Sequence, residues 1–130
     1  MADELNEIDI VSILVELCQL LSRDPLKLDD VRPVLEELPL AASVEPEPGS
    51  DIPAFVRLTL PESSQPTLDI LRESFGSYSE TPRLHRRALA KFIFYPDSGD
   101  SPYTCALITE VESEHTAVQA VTIRRDIRLE

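Results

Sequence analysis

The chain has 130 residues, of which 42% are hydrophobic and 28% are charged, and this composition is typical of one globular domain with a buried core. No apolar run approaches the ~20 residues that a membrane-spanning helix needs, which excludes that class. The formal net charge is −12. Because a nucleic-acid duplex carries a phosphate charge about every 1.7 Å, this surface would repel it, and we expect no nucleic-acid partner. Since no spanning segment is present, we expect no membrane partner either.

The negative charge is concentrated in the N-terminal part. Residues 1–52 carry thirteen acidic side chains against Arg23, Lys27 and Arg32, whereas residues 53–130 carry eleven acids against nine bases. The N-terminal part can therefore present an anionic face to a basic protein. The alternative is that the charge serves solubility, since soluble proteins commonly keep their net charge away from zero.

Apolar side chains recur with helical spacing near the start of the chain and predict a helix over residues 5–21. Asp3 or Asn6 can cap this helix, and Pro25 ends it. Its apolar stripe is wider than contact with one sheet face requires. The helix is therefore expected either to pack between two elements or to contribute to an oligomer contact.

A second, shorter helix fits residues 31–38, with a cap from Asp29 or Asp30 and with Pro33 in its first turn, where backbone N–H groups have no helical partner. Residues 41–53 hold three prolines, one glycine and three acids, which is typical of an extended connector. We expect one domain over residues 1–130: a helical part (1–40), this acidic proline-rich connector (41–53) and a sheet part (54–130).

The sheet part begins with a period-2 pattern over residues 54–60, and the flanking prolines favour an edge strand. A helix follows, capped by Ser63 or Ser64 and ended by Gly76, and a loop is expected to Pro82. Three β-rich runs between residues 88 and 126 then predict a three-stranded antiparallel meander. The sequence thus predicts an α+β fold, with N-terminal helices packed on a small antiparallel sheet that contains this C-terminal meander.

The faces of the meander depend on the pairing of its first hairpin, which we place at Tyr95 opposite Tyr103. This register puts Ala106 and Ile108 on the core face with the apolar residues of the preceding strand. It puts Cys105 on a second face that is about half apolar. Because the chain then has more apolar surface than one two-layer domain buries, we expect a symmetric homodimer.

The two cysteines, Cys18 and Cys105, fall on a predicted helix and a predicted strand. The simplest interpretation is a pair of buried reduced thiols, with a disulfide or a metal pair as the alternative. Residues 1–20 contain no Lys or Arg and lack the basic start of a secretory signal, so a cytoplasmic location is expected.

No motif for catalysis or for a cofactor is present. The histidines, His85 and His115, lie near no nucleophile motif, and three scattered glycines cannot form a glycine-rich phosphate loop. The loop that holds Asp97 and Asp100 lacks the ligand spacing of a helical calcium loop. The sequence therefore favours a non-catalytic protein over an enzyme, with no metal site and no cofactor.

A basic cluster interrupts the acidic chain and consists of Arg83, His85, Arg86 and Arg87, with Lys91 nearby. Arginine forks can bind a phosphate or a carboxylate, which would make the protein a small-molecule sensor or an enzyme with an anionic ligand. The rival interpretation is ordinary surface charge pairing, because the predicted meander places this cluster beside the acidic turn that follows Glu110.

The leading hypothesis is a non-catalytic cytoplasmic protein that binds a basic protein partner, in the manner of an acidic chaperone, inhibitor or immunity protein. It rests on the anionic N-terminal part, the wide apolar stripe and the missing catalytic motifs. The candidate partner-binding residues are the acids of the two predicted helices: Asp9, Glu16, Asp29, Asp30, Glu36 and Glu37.

Overall fold

A computed structural model describes residues 7–81, 90–96, 102–111 and 117–127 of the chain. These residues form three α-helices: α1 (Glu7–Leu21), α2 (Leu28–Glu36) and α3 (Leu68–Phe75). They also form six strands: β1 (Ala41–Pro46), β2 (Pro53–Thr59), β3 (Tyr78–Thr81), β4 (Ala90–Phe94), β5 (Tyr103–Val111) and β6 (Ala120–Ile127). The strands make one sheet in the order β1-β2-β6-β5-β4-β3, and all neighbours are antiparallel. The predicted α+β class is confirmed, with β3 to β6 in meander order.

The helices pack on one face of the sheet and enclose the core between the two layers. α1 lies on β5 and β6, α2 lies on β1, and α3 contacts α1. The ring of Phe94 meets Phe75 of α3 and Tyr78 of β3, with centroid distances of 6.3 and 5.2 Å. The fully buried side chains of the central strands include Val56, Leu58, Leu107, Val121 and Ile123.

The wide apolar stripe of α1 is covered within the chain. Ile10, Leu14 and Leu21 of this stripe are fully buried. Val11 and Val15, which widen the stripe, are half-buried and pack against the same core. Because α1 contacts both the sheet and α3, the stripe fits a helix between two elements. The predicted homodimer stays a prediction, and little of this stripe is left to support it.

The starts of the two shorter helices differ from the prediction. α2 begins at Leu28 because Asp30 acts from the third helical position, where its carboxylate accepts a hydrogen bond from the N–H of Lys27 at 3.0 Å. Pro33 consequently lies in the second turn, so its predicted place in the first turn was wrong. α3 is capped by Thr67, whose hydroxyl oxygen accepts the N–H of Ile70 at 3.4 Å.

The sheet has two more strands than the sequence predicted. The first half of the expected connector is β1, which pairs with β2, so the prediction that residues 41–53 are an unpaired connector was wrong there. β2 is therefore an interior strand rather than an edge strand, and its prolines are tolerated because Pro53 and Pro61 lie at or just beyond its ends. β3 pairs with β4 where a loop was expected.

In the first meander hairpin, Phe94 pairs with Leu107. The predicted hairpin paired Tyr95 with Tyr103, so the observed partner of each β4 residue is shifted along β5 by an odd number of residues. An odd shift exchanges the faces of β5. The predicted core faces of β4 and β6 are confirmed. On β5, however, Cys105 and Leu107 face the helices, and the predicted core positions Ala106 and Ile108 lie on the outer face.

This register brings Cys105 to the helical layer, where it forms a disulfide with Cys18 of α1. The two Cα atoms are 5.4 Å apart. The prediction of two reduced thiols was therefore wrong, and the alternative of a disulfide is the one that the structure shows. The bond joins α1 covalently to β5.

Candidate protein-binding surface

One edge of the molecule is built by α2 and the β1–β2 hairpin. α2 packs against β1, and the N–H of Leu28 at its start donates to the carbonyl oxygen of Asp51 in the hairpin turn at 2.7 Å. The turn itself is closed by the N–H of Glu47, which donates to the carbonyl oxygen of Ile52 at 2.8 Å. The helix and the hairpin are thereby held in one arrangement.

Seven exposed carboxylates lie on this unit, and we refer to them as the acidic surface: Asp29, Asp30, Glu36, Glu37, Glu45, Glu47 and Asp51. Two exposed bases, Lys27 and Arg32, lie among them. Four of the acids are those predicted on the second helix. The other three belong to the segment predicted to be a connector, so the fold adds them to the same unit.

Two of these acids serve α2 itself. Asp30 accepts the N–H of Lys27 as described above, and Asp29 lies 3.9 Å from the guanidinium of Arg32. Both partners of this second pair are largely exposed, so the pair contributes little to stability. The remaining five acids form no ion pair with another described residue.

Glu36 and Glu37 occupy the least favourable end of α2. They lie at the last helical position and at the C-cap, where the helix dipole is negative, and the last turn contains no base. A carboxylate at a helix C-terminus typically costs about 0.3–1 kcal/mol, because it repels the partial negative charge of the unpaired carbonyl groups. No ion pair among the described residues offsets this cost.

The two other acids predicted to bind a partner lie on a different part of the molecule. Asp9 and Glu16 belong to α1, which packs over β5 and β6 rather than over β1. Glu16 is exposed, whereas Asp9 is half-buried and already interacts with other groups of the chain. The acidic surface is therefore centred on α2 and the hairpin.

The predicted anion-binding residues Arg83, His85, Arg86 and Arg87 lie outside the described residues, and the anion site stays a prediction. Lys91 is exposed on β4, opposite Glu110 of β5. The sequence also predicted charge pairs with acids of the turns at residues 97–101 and 112–116. These turns lie outside the described residues as well.

The outer face of the sheet pairs its charges locally. Arg57 reaches across β6 to Glu110, with 2.8 Å between guanidinium nitrogen and carboxylate oxygen. The geometry is that of an ion pair rather than of a well-aligned hydrogen bond. Arg124 bonds to Asp126 on its own strand at 2.7 Å, and this hydrogen bond raises the pKa of Arg124. These charges are balanced, unlike those of the acidic surface.

A cleft of about 830 Å³ opens beside the disulfide. It is bounded by the C-terminal ends of α1 and α3 and by Pro96 and Pro102, and both cysteines form part of its wall. Its charged lining residues are Arg23 and the adjacent Asp24. Because these two charges oppose each other, the part of the wall formed by described residues has no net charge that would select an anionic ligand.

No protein-family profile, no curated protein and no solved structure matches this chain. Among the described residues, no three His, Cys, Asp or Glu side chains are grouped so that they could hold a metal ion. The helices described here are too short or too polar to cross a membrane. Fold and surface together define a two-layer α+β protein with an unbalanced acidic surface at one edge of its sheet.

Proposed function

We propose that this protein is a non-catalytic binding protein whose acidic surface binds a basic protein, in the manner of an acidic chaperone, inhibitor or immunity protein. The placement of Glu36 and Glu37 carries the proposal. These carboxylates lie at the negative end of α2, its last turn contains no base, and neither forms an ion pair with another described residue. Positive groups of a partner would stabilise both.

The neighbouring residues support the same role. Glu45, Glu47 and Asp51 extend the negative charge along the hairpin, and Val34 of α2 is 39% exposed among the acids. A charged surface of one sign accelerates association with a partner of opposite sign, and an apolar side chain within it adds contact area. Since the Debye length is about 8 Å at physiological ionic strength, binding should weaken as salt is raised.

Two variants with the same net charge test the proposal. The surface variant carries Glu36→Gln, Glu37→Gln, Glu45→Gln and Glu47→Gln. The control variant removes four exposed glutamates elsewhere, through Glu16→Gln, Glu62→Gln, Glu73→Gln and Glu80→Gln. Each protein is immobilised and exposed to native lysate in 0.05 M salt, and the captured proteins are eluted at 0.5 M salt and identified.

We expect the wild type and the control variant to retain the same basic proteins and the surface variant to lose them. Carboxylate-to-amine crosslinks should map to the acidic surface. If the two variants lose binding equally, net charge alone is responsible and the proposal fails. It also fails if the wild type retains no basic protein at low salt.

A further inference from the structure

The acidic surface borders a strand edge that pairs with no further strand among the described residues. β1 is the first strand in the sheet order, and its sheet partner is β2. The exposed acids of α2 and of the hairpin turn lie on the two elements that flank this strand. An edge strand offers N–H and C=O groups that can pair with another extended segment.

The pairing registers determine which backbone groups of β1 are free. The N–H of Leu60 donates to the carbonyl oxygen of Gln119 at 2.9 Å, in the register that pairs β2 with β6. Since successive residues of a strand direct their backbone groups to opposite sides, the even-numbered residues of β2 bond to β6 and the odd-numbered ones to β1. Ser43 pairs with Arg57, so it bonds inward, and Ala42 and Val44 direct their N–H and C=O groups to the open side.

The position of Pro46 in β1 agrees with this assignment of the outward backbone groups. Pro46, the next even-numbered residue of β1, has no N–H to offer, and an outward position is where a strand tolerates proline. No described residue makes a backbone hydrogen bond to Ala42 or Val44 on the open side. Two donors and two acceptors are thus available beside seven carboxylates.

We propose that the basic partner contributes an extended segment that pairs with β1 through the backbone groups of Ala42 and Val44 while its Lys or Arg side chains meet the acidic surface. This inference rests on the proposed function and specifies its binding mode. A second copy of the chain suits the edge less well, because pairing β1 with β1 would bring two acidic surfaces together.

The first experiment alters the strand edge. Ala42→Pro removes one outward donor and places a ring on the open side, whereas Ala42→Val adds similar bulk and keeps the N–H. The probe is a fluorescent nine-residue peptide of alternating threonine and lysine, titrated in 0.05 M salt and followed by anisotropy. We expect Ala42→Pro to weaken binding at least tenfold and Ala42→Val to bind within about threefold of the wild type.

The second experiment leaves the protein unchanged, so it decides the question even if Ala42→Pro does not fold. Two versions of the peptide carry four backbone N-methyl groups each, on alternate residues or on four consecutive central residues. The alternate version keeps one unmethylated edge and should bind like the parent peptide. The consecutive version has no complete edge and should bind at least tenfold more weakly.

The outcomes separate this inference from the proposed function. Equal binding of both methylated peptides, normal binding by Ala42→Pro, or no binding of the parent peptide at 1 mM would overturn strand pairing. The lysate capture with the two charge variants would still decide whether the acidic surface binds a basic protein. Dissociation of a wild-type dimer by Ala42→Pro would assign the edge to a second copy and also overturn the inference.

Discussion

The disulfide between Cys18 and Cys105 should contribute a large part of the stability of this protein. The bond closes a loop with a sequence separation of 87 residues. In the loop-closure treatment of the unfolded chain, a loop of this length corresponds to about 4.6 kcal/mol at 25 °C. With a urea slope of ~2 kcal/mol per M, reduction should lower the unfolding midpoint by roughly 2 M.

The assay is equilibrium unfolding in urea with and without a phosphine reductant, together with alkylation of the unfolded, unreduced chain. We expect no alkylated cysteine without reductant and two with it. A Cys18→Ala, Cys105→Ala variant should show the same midpoint under both conditions. Two alkylated cysteines in the unreduced sample, or midpoints that agree within experimental error, would refute the reasoning.

Two further substitutions test how the helix ends are held, both by urea unfolding. Arg125 is buried and donates hydrogen bonds to the carbonyl oxygens of Leu21 and Arg23 at 3.0 and 2.7 Å. Arg125→Met should cost about 2–3 kcal/mol, because one buried and one partly buried carbonyl group lose their donor, and Arg125→Lys should cost less. A loss below 0.5 kcal/mol for Arg125→Met would contradict this role. Gly76 ends α3 at φ 83° and ψ −159°, a backbone conformation that is essentially restricted to glycine. Gly76→Ala should therefore cost about 1–3 kcal/mol, although the added Cβ would meet no neighbouring atom. Unchanged stability of this variant would contradict the expected backbone strain.

Periodicity in the sequence was sufficient to predict the presence of the helices and of four of the strands. The helical spacing of α1 and the alternation in β2 are strong because one side of each element is buried and the other is not. β1 was missed because its sequence, Ala-Ala-Ser-Val-Glu-Pro, has few strand-forming side chains and is followed by further prolines. Its pairing with β2 is a tertiary effect that local pattern does not reveal.

The register of β5 could not be read from its pattern because both of its faces are apolar. Cys105 and Leu107 alternate with Ala106 and Ile108, so either pair fits a core. The loop before β5 is rich in turn residues and permits more than one closure. The predicted register also turned Cys105 away from α1, so it gave no indication that the two cysteines meet.

The candidate surface was predicted in part. The acids of α2 were identified from charge, whereas Glu45, Glu47 and Asp51 were not, because an unpaired connector would not hold them beside the helix. The predicted cytoplasmic location stays a prediction. The disulfide weighs against it, since such bonds are rare in reducing compartments.

Amide hydrogen exchange measured residue by residue tests the central claim most directly. In the free protein, Ala42 and Val44 should exchange rapidly because their N–H groups face the open edge, and Ser43 should be protected by its bond to β2. When the threonine–lysine peptide saturates the protein, exchange at Ala42 and Val44 should slow at least tenfold. Unchanged exchange at both residues in the saturated complex would contradict strand pairing at the acidic surface.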